Sequence, residues 1–383
     1  MPRAGAQPPA VHHVERLRPR RRGPHTARRS FDRLRLDRGP AHQVSARSLK
    51  RLLVAGGAGF IGSNFVRLLR STRPEIEITV LDKLTYAGNP ANLAEFEGQR
   101  GYRFVKGDIC DDGLVDQLAG GVDAIVNFAA ETHVDRSLLD PFAFVETDVR
   151  GTAVLCVAAR KHGHEVFLLV STDEVYGHVP EGRSREADPL RPRSPYSASK
   201  AGGEHIAHAY AESFGLPVLV TRGSNTYGPS QYPEKLIPVL ITNAIDGMKL
   251  PLYKDGSAVR DFVHVEDHCR AIDMVLHEAP AGSVYNIGTG VETSGRQVAE
   301  AVLDIMGKPR SMIDYVADRP GHDYRYALDI ERITGLGWEP RVNLAEGLDR
   351  TVRWYQDRQD WWRPLKSGEY WDFYRKNYRP LES

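Results

Sequence analysis

The sequence predicts an α/β protein: a doubly wound parallel sheet that carries a smaller C-terminal lobe. Between residues 51 and about 222, short apolar runs typical of buried strands alternate with helical patterns, as in a parallel sheet covered by helices on both faces. Segments 223–258 and 291–383 are instead rich in Pro, Tyr, Trp and Arg. We expect these segments to form the smaller lobe, with the aromatic stretch WYQDRQDWWRPL in its core. The strands around DFVHVEDH and SVYNIG, within 259–290, are expected to return to the sheet.

Composition narrows the class of protein. A chain of 383 residues, 41% of them hydrophobic, can bury a core large enough for two joined lobes. The formal net charge of +1 gives no reason to expect a nucleic acid or an anionic membrane as partner. Cys110, Cys156 and Cys269 lie far apart without CxxC spacing, so we expect no disulfide framework, no metal site and a cytoplasmic protein. No apolar run approaches the roughly 18 residues that span a bilayer.

Residues 1–50 differ from the rest. They contain the runs RLRPRRRG and TARRS, several prolines and few large apolar residues, so we expect a disordered, Arg-rich leader. A start site assigned too far upstream would explain the same composition. A basic tail for RNA or anionic lipid is a second alternative. Targeting to an organelle is disfavoured by acidic residues such as Asp32 and Asp37.

A nucleotide-cofactor motif opens the folded region. KRLLVAGGAGFIGSNFVRLLRS predicts a short strand, a glycine turn and a helix. Glycines at 56, 57, 59 and 62 allow a tight turn, close approach of the backbone to a pyrophosphate, and phosphate contact at the helix N-terminus. A second strand ends in Asp82, about 20 residues later, where a carboxylate favours the ribose hydroxyls of NAD over the 2′-phosphate of NADP.

Later strand ends extend the same predicted groove. YRFVKGDI places Asp108 and Ile109 where they can hold an adenine edge. DAIVNFAAETHVD brings Phe128, Ala129 and Ala130 to the carboxyl edge of a fourth strand, and such small residues allow a nicotinamide to lie close to the backbone. Taken together, at consecutive strand ends, these residues favour an NAD groove.

The stretch STDEVYG places Thr172, Asp173 and Glu174 side by side where a fifth strand leaves the core. Two adjacent carboxylic acids at a strand end are either solvated turn residues or a pair arranged for proton transfer. The residues alone leave both interpretations open.

A tyrosine and a lysine follow on a predicted helix. In SPYSASKAGGEHIAHAYAESFG, Tyr196 and Lys200 are four residues apart and therefore project from one helix face. We expect the lysine ammonium to lower the pKa of the phenol so that it can take a proton from a substrate hydroxyl, with the Thr172 hydroxyl bonded to the same substrate oxygen. This arrangement is typical of alcohol oxidation.

Several motifs together resemble one family. GGAGFIGS, NFAAETHVDRS, STDEVYG, PYSASK and DRPGHDYRYALD are similar to the dTDP-glucose 4,6-dehydratases within the extended short-chain dehydrogenase/reductase family of NAD-dependent sugar epimerases and dehydratases. The resemblance runs from Arg51 to the end of the chain. It implies a Rossmann-like fold, NAD as cofactor, dTDP-glucose as substrate and a homodimer formed through a four-helix bundle. It also implies that Glu174 takes the C5 proton and that a protonated Asp173 donates to the leaving C6 hydroxyl.

The predicted site has three groups of residues. The catalytic group is Thr172, Asp173, Glu174, Tyr196 and Lys200. The cofactor-binding group is Gly56, Gly59, Phe60, Ile61, Gly62, Asp82, Lys83, Thr85, Asp108, Ile109, Phe128, Ala129, Ala130, Thr147, Tyr196, Lys200 and Thr226, the last standing where the family often has asparagine. The substrate-binding group, which follows from the resemblance, is Thr132, Thr172, Asn225, Lys235, Leu236, Tyr253, Arg260, Asp318, Arg319 and His322.

Three alternatives to this interpretation stay open. The chain can be a dehydratase of another nucleotide sugar or a UDP-sugar 4-epimerase, which needs only the tyrosine, the lysine and a hydroxyl. A protein of a different class, an NAD-binding regulatory protein without turnover, would be suggested by loss of Tyr196, Lys200 or Glu174, and all three are present.

Overall fold

The structure is a computed structural model that describes residues 46–318 and 322–378. The prediction for the leader therefore lies outside the described residues except at its end. There, Leu49 is buried in the core, and the Arg47 guanidinium donates to the carbonyl oxygens of Leu276 at 2.9 Å and Ala279 at 2.7 Å. The folded part therefore begins a few residues before the expected boundary at residue 50. Arg47 belongs to the Arg-rich leader by composition, but its side chain binds carbonyl groups of the folded part.

Strands and helices alternate along the described chain. The strands are β1 (Arg51–Ala55), β2 (Glu77–Asp82), β3 (Tyr102–Lys106), β4 (Ala124–Asn127), β5 (Val166–Thr172), β6 (Val218–Gly223), β7 (Asn225–Tyr227), β8 (Leu250–Tyr253), β9 (Val259–His264), β10 (Val284–Ile287), β11 (Glu292–Ser294) and β12 (Ile313–Val316). The helices are α1 (Phe60–Thr72), α2 (Asp112–Ala119), α3 (Val134–Ser137), α4 (Pro141–Phe144), α5 (Thr152–His162), α6 (Pro195–Phe214), α7 (Leu236–Asp246), α8 (Val265–Glu278), α9 (Gly295–Ile305), α10 (Glu331–Gly335), α11 (Leu344–Asp357), α12 (Gln359–Trp362) and α13 (Gly368–Asn377). Short 3₁₀ turns occur as well, one of them at Asp173–Tyr176, and a π-helical segment, Val145–Gly151, precedes α5.

Seven parallel strands form the main sheet in the order β10-β6-β5-β4-β1-β2-β3. Successive residues of β1 point to opposite faces: Leu52 and Val54 enter one apolar core, and Leu53 and Ala55 enter the other. Burial on both faces explains why the four residues after the exposed Arg51 are all apolar. The predicted doubly wound, Rossmann-like fold is confirmed.

Two small sheets build the second lobe, one of β11, β9 and β7 and one of β12 and β8. The sequence predicts that DFVHVEDH and SVYNIG both return to the main sheet, but only β10, from SVYNIG, does so. β9 pairs with β7 and β11 instead, with Asn225 of β7 opposite Phe262 of β9. Its backbone hydrogen bonds are therefore formed outside the main sheet. Trp362 is fully buried in the core of this lobe, as the prediction of packing for the aromatic stretch requires.

The parallel order of the main sheet decides where function lies. The carboxyl ends of β1, β2, β4, β5 and β6 meet along one edge, and the loops that follow them line a cleft. Every helix within the described residues is too short or too polar to cross a lipid bilayer.

Candidate active site

Two pockets lie side by side in the cleft and share the side chains of Tyr196 and Lys235. The first pocket is lined mainly by the ends of β1, β2 and β4 and the start of α1. The second is lined by β8, β9 and the loop after β4. Tyr196 therefore faces both, which suits a residue that acts where two bound molecules meet.

The glycine turn leaves no room for side chains. Gly56 has a φ of +73°, and a Cβ there would lie 2.4 Å from the backbone nitrogen of Ala129. A Cβ at Gly62 would lie 2.4 Å from the carbonyl oxygen of Gly56. The N-cap of α1, Gly59, provides no side-chain hydrogen bond, so the first amides of the helix face the pocket for an anionic ligand.

Asp82 lies at the end of β2 on the floor of the first pocket. Its carboxylate accepts the backbone N–H groups of Ala58 at 2.9 Å and Leu84 at 2.8 Å, which fixes its orientation. Burial raises the pKa of Asp82, while those amides oppose the rise. Beside it, the Lys83 ammonium lies 2.7 Å from the carboxylate of Asp108. A carboxylate held in this way retains acceptor lone pairs for a diol.

The structure brings nearly all predicted cofactor-binding residues to the first pocket. Its walls include Gly56, Gly59, Phe60, Ile61, Gly62, Asp82, Lys83, Thr85, Asp108, Ile109, Phe128, Ala129, Ala130, Thr147, Tyr196 and Lys200. Thr226 is the exception, since it does not line this pocket. Its hydroxyl lies 2.7 Å from Nδ1 of the buried His268 and 3.2 Å from the carbonyl oxygen of Ser224, so it points into the packing behind β7.

A short 3₁₀ turn presents the two acids. The Thr172 hydroxyl accepts the N–H of Glu174 at 3.3 Å and donates to Asp173 Oδ1 at 3.2 Å. Gly177 ends the turn with a φ of +75°, where a Cβ would lie 2.2 Å from the carbonyl oxygen of Arg191. The turn is therefore tightly determined at both ends, unlike a solvated loop.

The two acids of this turn have different environments. Asp173 is only 3% exposed, and its Oδ2 has no hydrogen-bond partner in the described part of the chain. Burial, and next the carboxylate of Glu174, raise the pKa of Asp173 to about 8. Glu174, by contrast, lines the second pocket. At neutral pH, Asp173 is thus a proton donor beside an acid that reaches the pocket.

Tyr196 stands in the first turn of α6. Pro195 occupies the first helical position, and a capping box between Ser194 and Ser197 fixes the start of the helix. Burial, and next the negative charge of Glu174, raise the pKa of Tyr196 well above its usual value, although a hydrogen bond with Thr172 opposes the rise.

The sequence predicts that Lys200 lowers the pKa of Tyr196, and the structure differs. Lys200 is 5% exposed and donates to the carbonyl oxygen of Val170 at 2.8 Å. Because its ammonium is held by that carbonyl, desolvation of the phenol rather than the lysine charge dominates the pKa of Tyr196.

Most predicted substrate-binding residues surround the second pocket: Asn225, Lys235, Leu236, Tyr253, Arg260 and His322. Thr132 lines the first pocket and accepts the Lys235 ammonium at 2.9 Å, which places it on the border between the two. Asp318 is not part of the second pocket's wall, but its carboxylate lies 2.7 Å from Nδ1 of His322. Arg319 lies outside the described residues.

Sequence reasoning missed residues from distant parts of the chain. Glu131, Gln231 and Tyr232 line the first pocket; His133, Asp135, Glu234 and Tyr378 line the second. Tyr378 stacks on Tyr253 with ring centroids 5.6 Å apart, and the Tyr253 hydroxyl donates to Asp135 at 3.3 Å. No local sequence pattern predicts a role for Tyr378. Glu131, His133 and Asp135, by contrast, lie inside the motif NFAAETHVDRS.

Comparisons with known proteins agree with this geometry. The model of the GDP-mannose 4,6 dehydratase family matches residues 53–351. The dTDP-glucose 4,6-dehydratase of Streptomyces niveus is 53% identical over 324 residues, which cover 83% of this chain and 96% of that protein. The crystal structure of a dTDP-glucose 4,6-dehydratase from Streptomyces venezuelae with NAD bound is 52% identical, with a TM-score of 0.81 over 82% of this chain and 100% of that chain.

A solved epimerase has the same fold. The UDP-glucose 4-epimerase of Thermus thermophilus, in complex with NAD, is 34% identical, with a TM-score of 0.74 over 80% of this chain and 99% of that chain. The fold is therefore common to dehydratases and epimerases, and the side chains of the site must distinguish the two reactions.

Proposed function

Because this chain belongs to the GDP-mannose 4,6 dehydratase family, we propose that it is an NAD-dependent hydro-lyase that converts dTDP-glucose to dTDP-4-keto-6-deoxyglucose. The observation that carries the proposal is the pair formed by Asp173 and Glu174. A buried carboxyl that keeps its proton at neutral pH stands next to one that reaches the pocket, and elimination of water needs an acid and a base on neighbouring carbons.

Each catalytic residue has a distinct role in the reaction. Tyr196 takes the proton of the C4 hydroxyl, with Thr172 bonded to the same oxygen. Once C4 is a ketone, the C5 proton is acidic, and Glu174 removes it. Asp173 then donates its proton to the leaving C6 hydroxyl, which departs as water. Lys200, held by the Val170 carbonyl, keeps its positive charge in the same pocket as the Tyr196 phenol.

Bound in the first pocket, NAD would supply the hydride chemistry that oxidation at C4 and reduction at C6 require. The first pocket suits such a cofactor because the Cβ-free turn at Gly56 admits a pyrophosphate, and Asp82 offers its carboxylate to a ribose diol. A carboxylate at this place disfavours the 2′-phosphate of NADP.

The second pocket suits the nucleotide diphosphate. Lys235 and Arg260 bring positive charge to it, and Arg319 and His322 of DRPGH belong to the same predicted set. Tyr253 offers a ring on which a base can pack. We propose that 51–222 with 259–290 form the NAD-binding domain, except that β9 (Val259–His264) belongs to the lobe that binds the nucleotide sugar, with 223–258 and 291–383, because it pairs with β7 and β11.

We also propose a cytoplasmic homodimer. Apolar side chains stand exposed in the loop after α3, on α4 and at the start of the π-helical segment: Leu138, Leu139, Phe142 and Val145. Phe142 is 82% exposed, and Val157 of α5 and Phe214 of α6 add to the same kind of surface at about half exposure, 51% and 50%. A second copy that pairs through helices, as in the family that the chain resembles, would cover such residues. The three cysteines are free thiols, which suits a reducing compartment.

The test is incubation of the purified protein with dTDP-glucose. A dehydratase gives a 4-keto product with alkaline absorbance and, in deuterated water, incorporates solvent hydrogen at C5. Formation of UDP-galactose from UDP-glucose would favour an epimerase. If the protein converts only another nucleotide sugar, that sugar replaces dTDP-glucose as the assigned substrate. If it converts no nucleotide sugar, the result favours a regulatory NAD-binding protein.

A further inference from the structure

A buried ion pair lies directly behind the turn that presents the two acids. Arg222 of β6 and Glu204 of α6 are 6% and 4% exposed. The guanidinium donates from Nε to Glu204 Oε2 at 3.0 Å and from Nη2 to the same oxygen at 2.6 Å. Burying two charges costs desolvation free energy, so such a pair is weak evidence for stability by itself. Its contacts indicate what else it does.

The pair holds both ends of the acid turn. Ser171, the residue before Thr172, donates its hydroxyl to Glu204 Oε1 at 2.5 Å. At the other end, the phenol oxygen of Tyr176 accepts from Arg222 Nη1 at 2.7 Å. Ser171, Tyr176, Glu204 and Arg222 are here called the buried clasp. The clasp ties the start and the end of the turn to a single pair of charges.

The clasp also connects the turn to the phenol. Glu204 lies on α6, eight residues after Tyr196 and four after Lys200, so all three project from one side of the helix. A hydrogen bond from the Tyr176 hydroxyl to Asn286 Oδ1 at 2.8 Å extends the network to β10. A single buried network thus spans the helix of the Tyr–Lys pair and the turn of the Asp–Glu pair.

We propose that the Arg222–Glu204 pair is a positioning device for dehydration, which holds Asp173 and Glu174 in register with Tyr196 over neighbouring carbons of the sugar. This inference rests on the proposed function. Arg222 and Glu204 line neither pocket, so they act through the turn that they anchor.

Elimination depends on the clasp more than C4 oxidation does. Inside the turn, the side-chain hydrogen bonds of Thr172 are long, at 3.2 and 3.3 Å, and Asp173 Oδ2 has no partner among the described residues. The clasp therefore positions the acids together with the backbone hydrogen bond from the Arg191 N–H to the Val175 carbonyl oxygen at 2.9 Å. Tyr196 and Lys200 have independent support from the capping box of α6 and from the carbonyl of Val170. A displacement of about 1 Å can cost on the order of 100-fold in rate, and here it would fall on the acids.

The variant Tyr176→Phe tests this with little disturbance. It removes the hydroxyl but keeps the ring, whose centroid lies 4.8 Å from the Arg222 guanidinium. Arg222 Nη1 also donates to the carbonyl oxygen of Glu186 at 3.1 Å, so the guanidinium stays partnered. Thr351→Val is the matched control, since it removes one buried hydrogen bond, to the carbonyl oxygen of Gly347 at 2.6 Å, in the second lobe.

The holoenzyme is mixed with dTDP-glucose, and three quantities are followed: absorbance of the reduced cofactor, solvent hydrogen incorporated at C5, and keto-sugar product. We expect Tyr176→Phe to slow exchange and product formation roughly 10-fold to 100-fold with little change in KM. Reduced cofactor should accumulate, because C4 oxidation continues. Arg222→Lys, which keeps the charge but loses the fork, should show the same partition. Thr351→Val should lower only the melting temperature.

The outcomes separate the two proposals. The positioning role is refuted if the wild-type enzyme is active and the Tyr176→Phe variant loses oxidation and elimination by equal factors. It is also refuted if that variant shows only a lower melting temperature, as Thr351→Val does. A wild-type protein that leaves dTDP-glucose unchanged refutes the proposed function and the role of the clasp together.

Discussion

Replacing Asp173 by asparagine should make the protein more stable and less active. Asp173 has an ordinary pKa near 3.8 in the unfolded chain and about 8 in the folded protein, because burial and the Glu174 carboxylate disfavour its charged form. Between those values the unfolded chain releases the proton while the folded protein keeps it, so stability falls as pH rises. The loss is about 1.4 kcal/mol per pH unit, which accumulates to on the order of 4 kcal/mol at pH 7.

Asparagine has nearly the same shape and cannot ionise, so Asp173→Asn removes this pH-dependent loss. A protonated carboxyl and an amide both present a hydrogen-bond donor at the position of Oδ2. The free-energy cost of burying that donor without a partner is therefore similar in the variant and the wild type and approximately cancels. The free energy of unfolding of the variant minus that of the wild type should therefore be small near pH 4. It should widen steadily up to about pH 8.

Urea denaturation of both holoproteins at several pH values measures this difference. Asp148→Asn is the matched control, because burial raises the pKa of Asp148 to about 6, so its difference should stop growing near that pH. In turnover, Asp173→Asn should lose about 10² to 10⁴ in product formation while C4 oxidation continues. A stability difference that stays constant between pH 5 and 8 would mean that Asp173 is ionised in the folded protein, and its role as acid would be refuted.

Three other changes test separate parts of the site. Glu174→Gln should still permit C4 oxidation but stop hydrogen exchange at C5; unchanged exchange would assign the base to another group. Gly56→Ala places a Cβ 2.4 Å from the Ala129 nitrogen at a positive φ, so the purified protein should carry at least 10-fold less NAD, and full occupancy would contradict the assigned groove. Phe142→Glu puts a charge on an 82% exposed apolar residue, so sedimentation should show monomers in place of dimers, and an unchanged dimer would place the interface elsewhere.

The cofactor groove could be predicted from the sequence because it is built from local motifs at one sheet edge. Gly56, Asp82 and Asp108 each end or follow a parallel strand, and a doubly wound sheet brings such positions together whatever the loops do. The orientation of the Thr226 side chain could not be predicted in this way, because it depends on His268, a buried partner 42 residues away that no local pattern reveals.

The second pocket could be predicted only in part because it depends on contacts between distant residues. Tyr253 meets Asp135 across 118 residues of sequence, and Tyr378 reaches the same place from the end of the last helix. The error for β9 has a similar origin. A short buried run such as DFVHV is suitable for either sheet. The choice depends on which sheet edge offers free backbone groups, and only the assembled lobe determines that.

The energetics of the acid turn argue for dehydration over epimerisation. An epimerase needs the tyrosine, the lysine and a hydroxyl, and a neutral residue at position 173 would serve it without the pH-dependent loss of stability. This chain instead buries Asp173 against the charge of Glu174 and places a second buried pair, Arg222 with Glu204, behind the same turn. Such costs persist in proteins mainly where activity depends on them, at active sites and their supports. A protonated acid next to a base is of use only to a reaction that moves two protons on neighbouring carbons, and elimination of water across C5 and C6 is such a reaction.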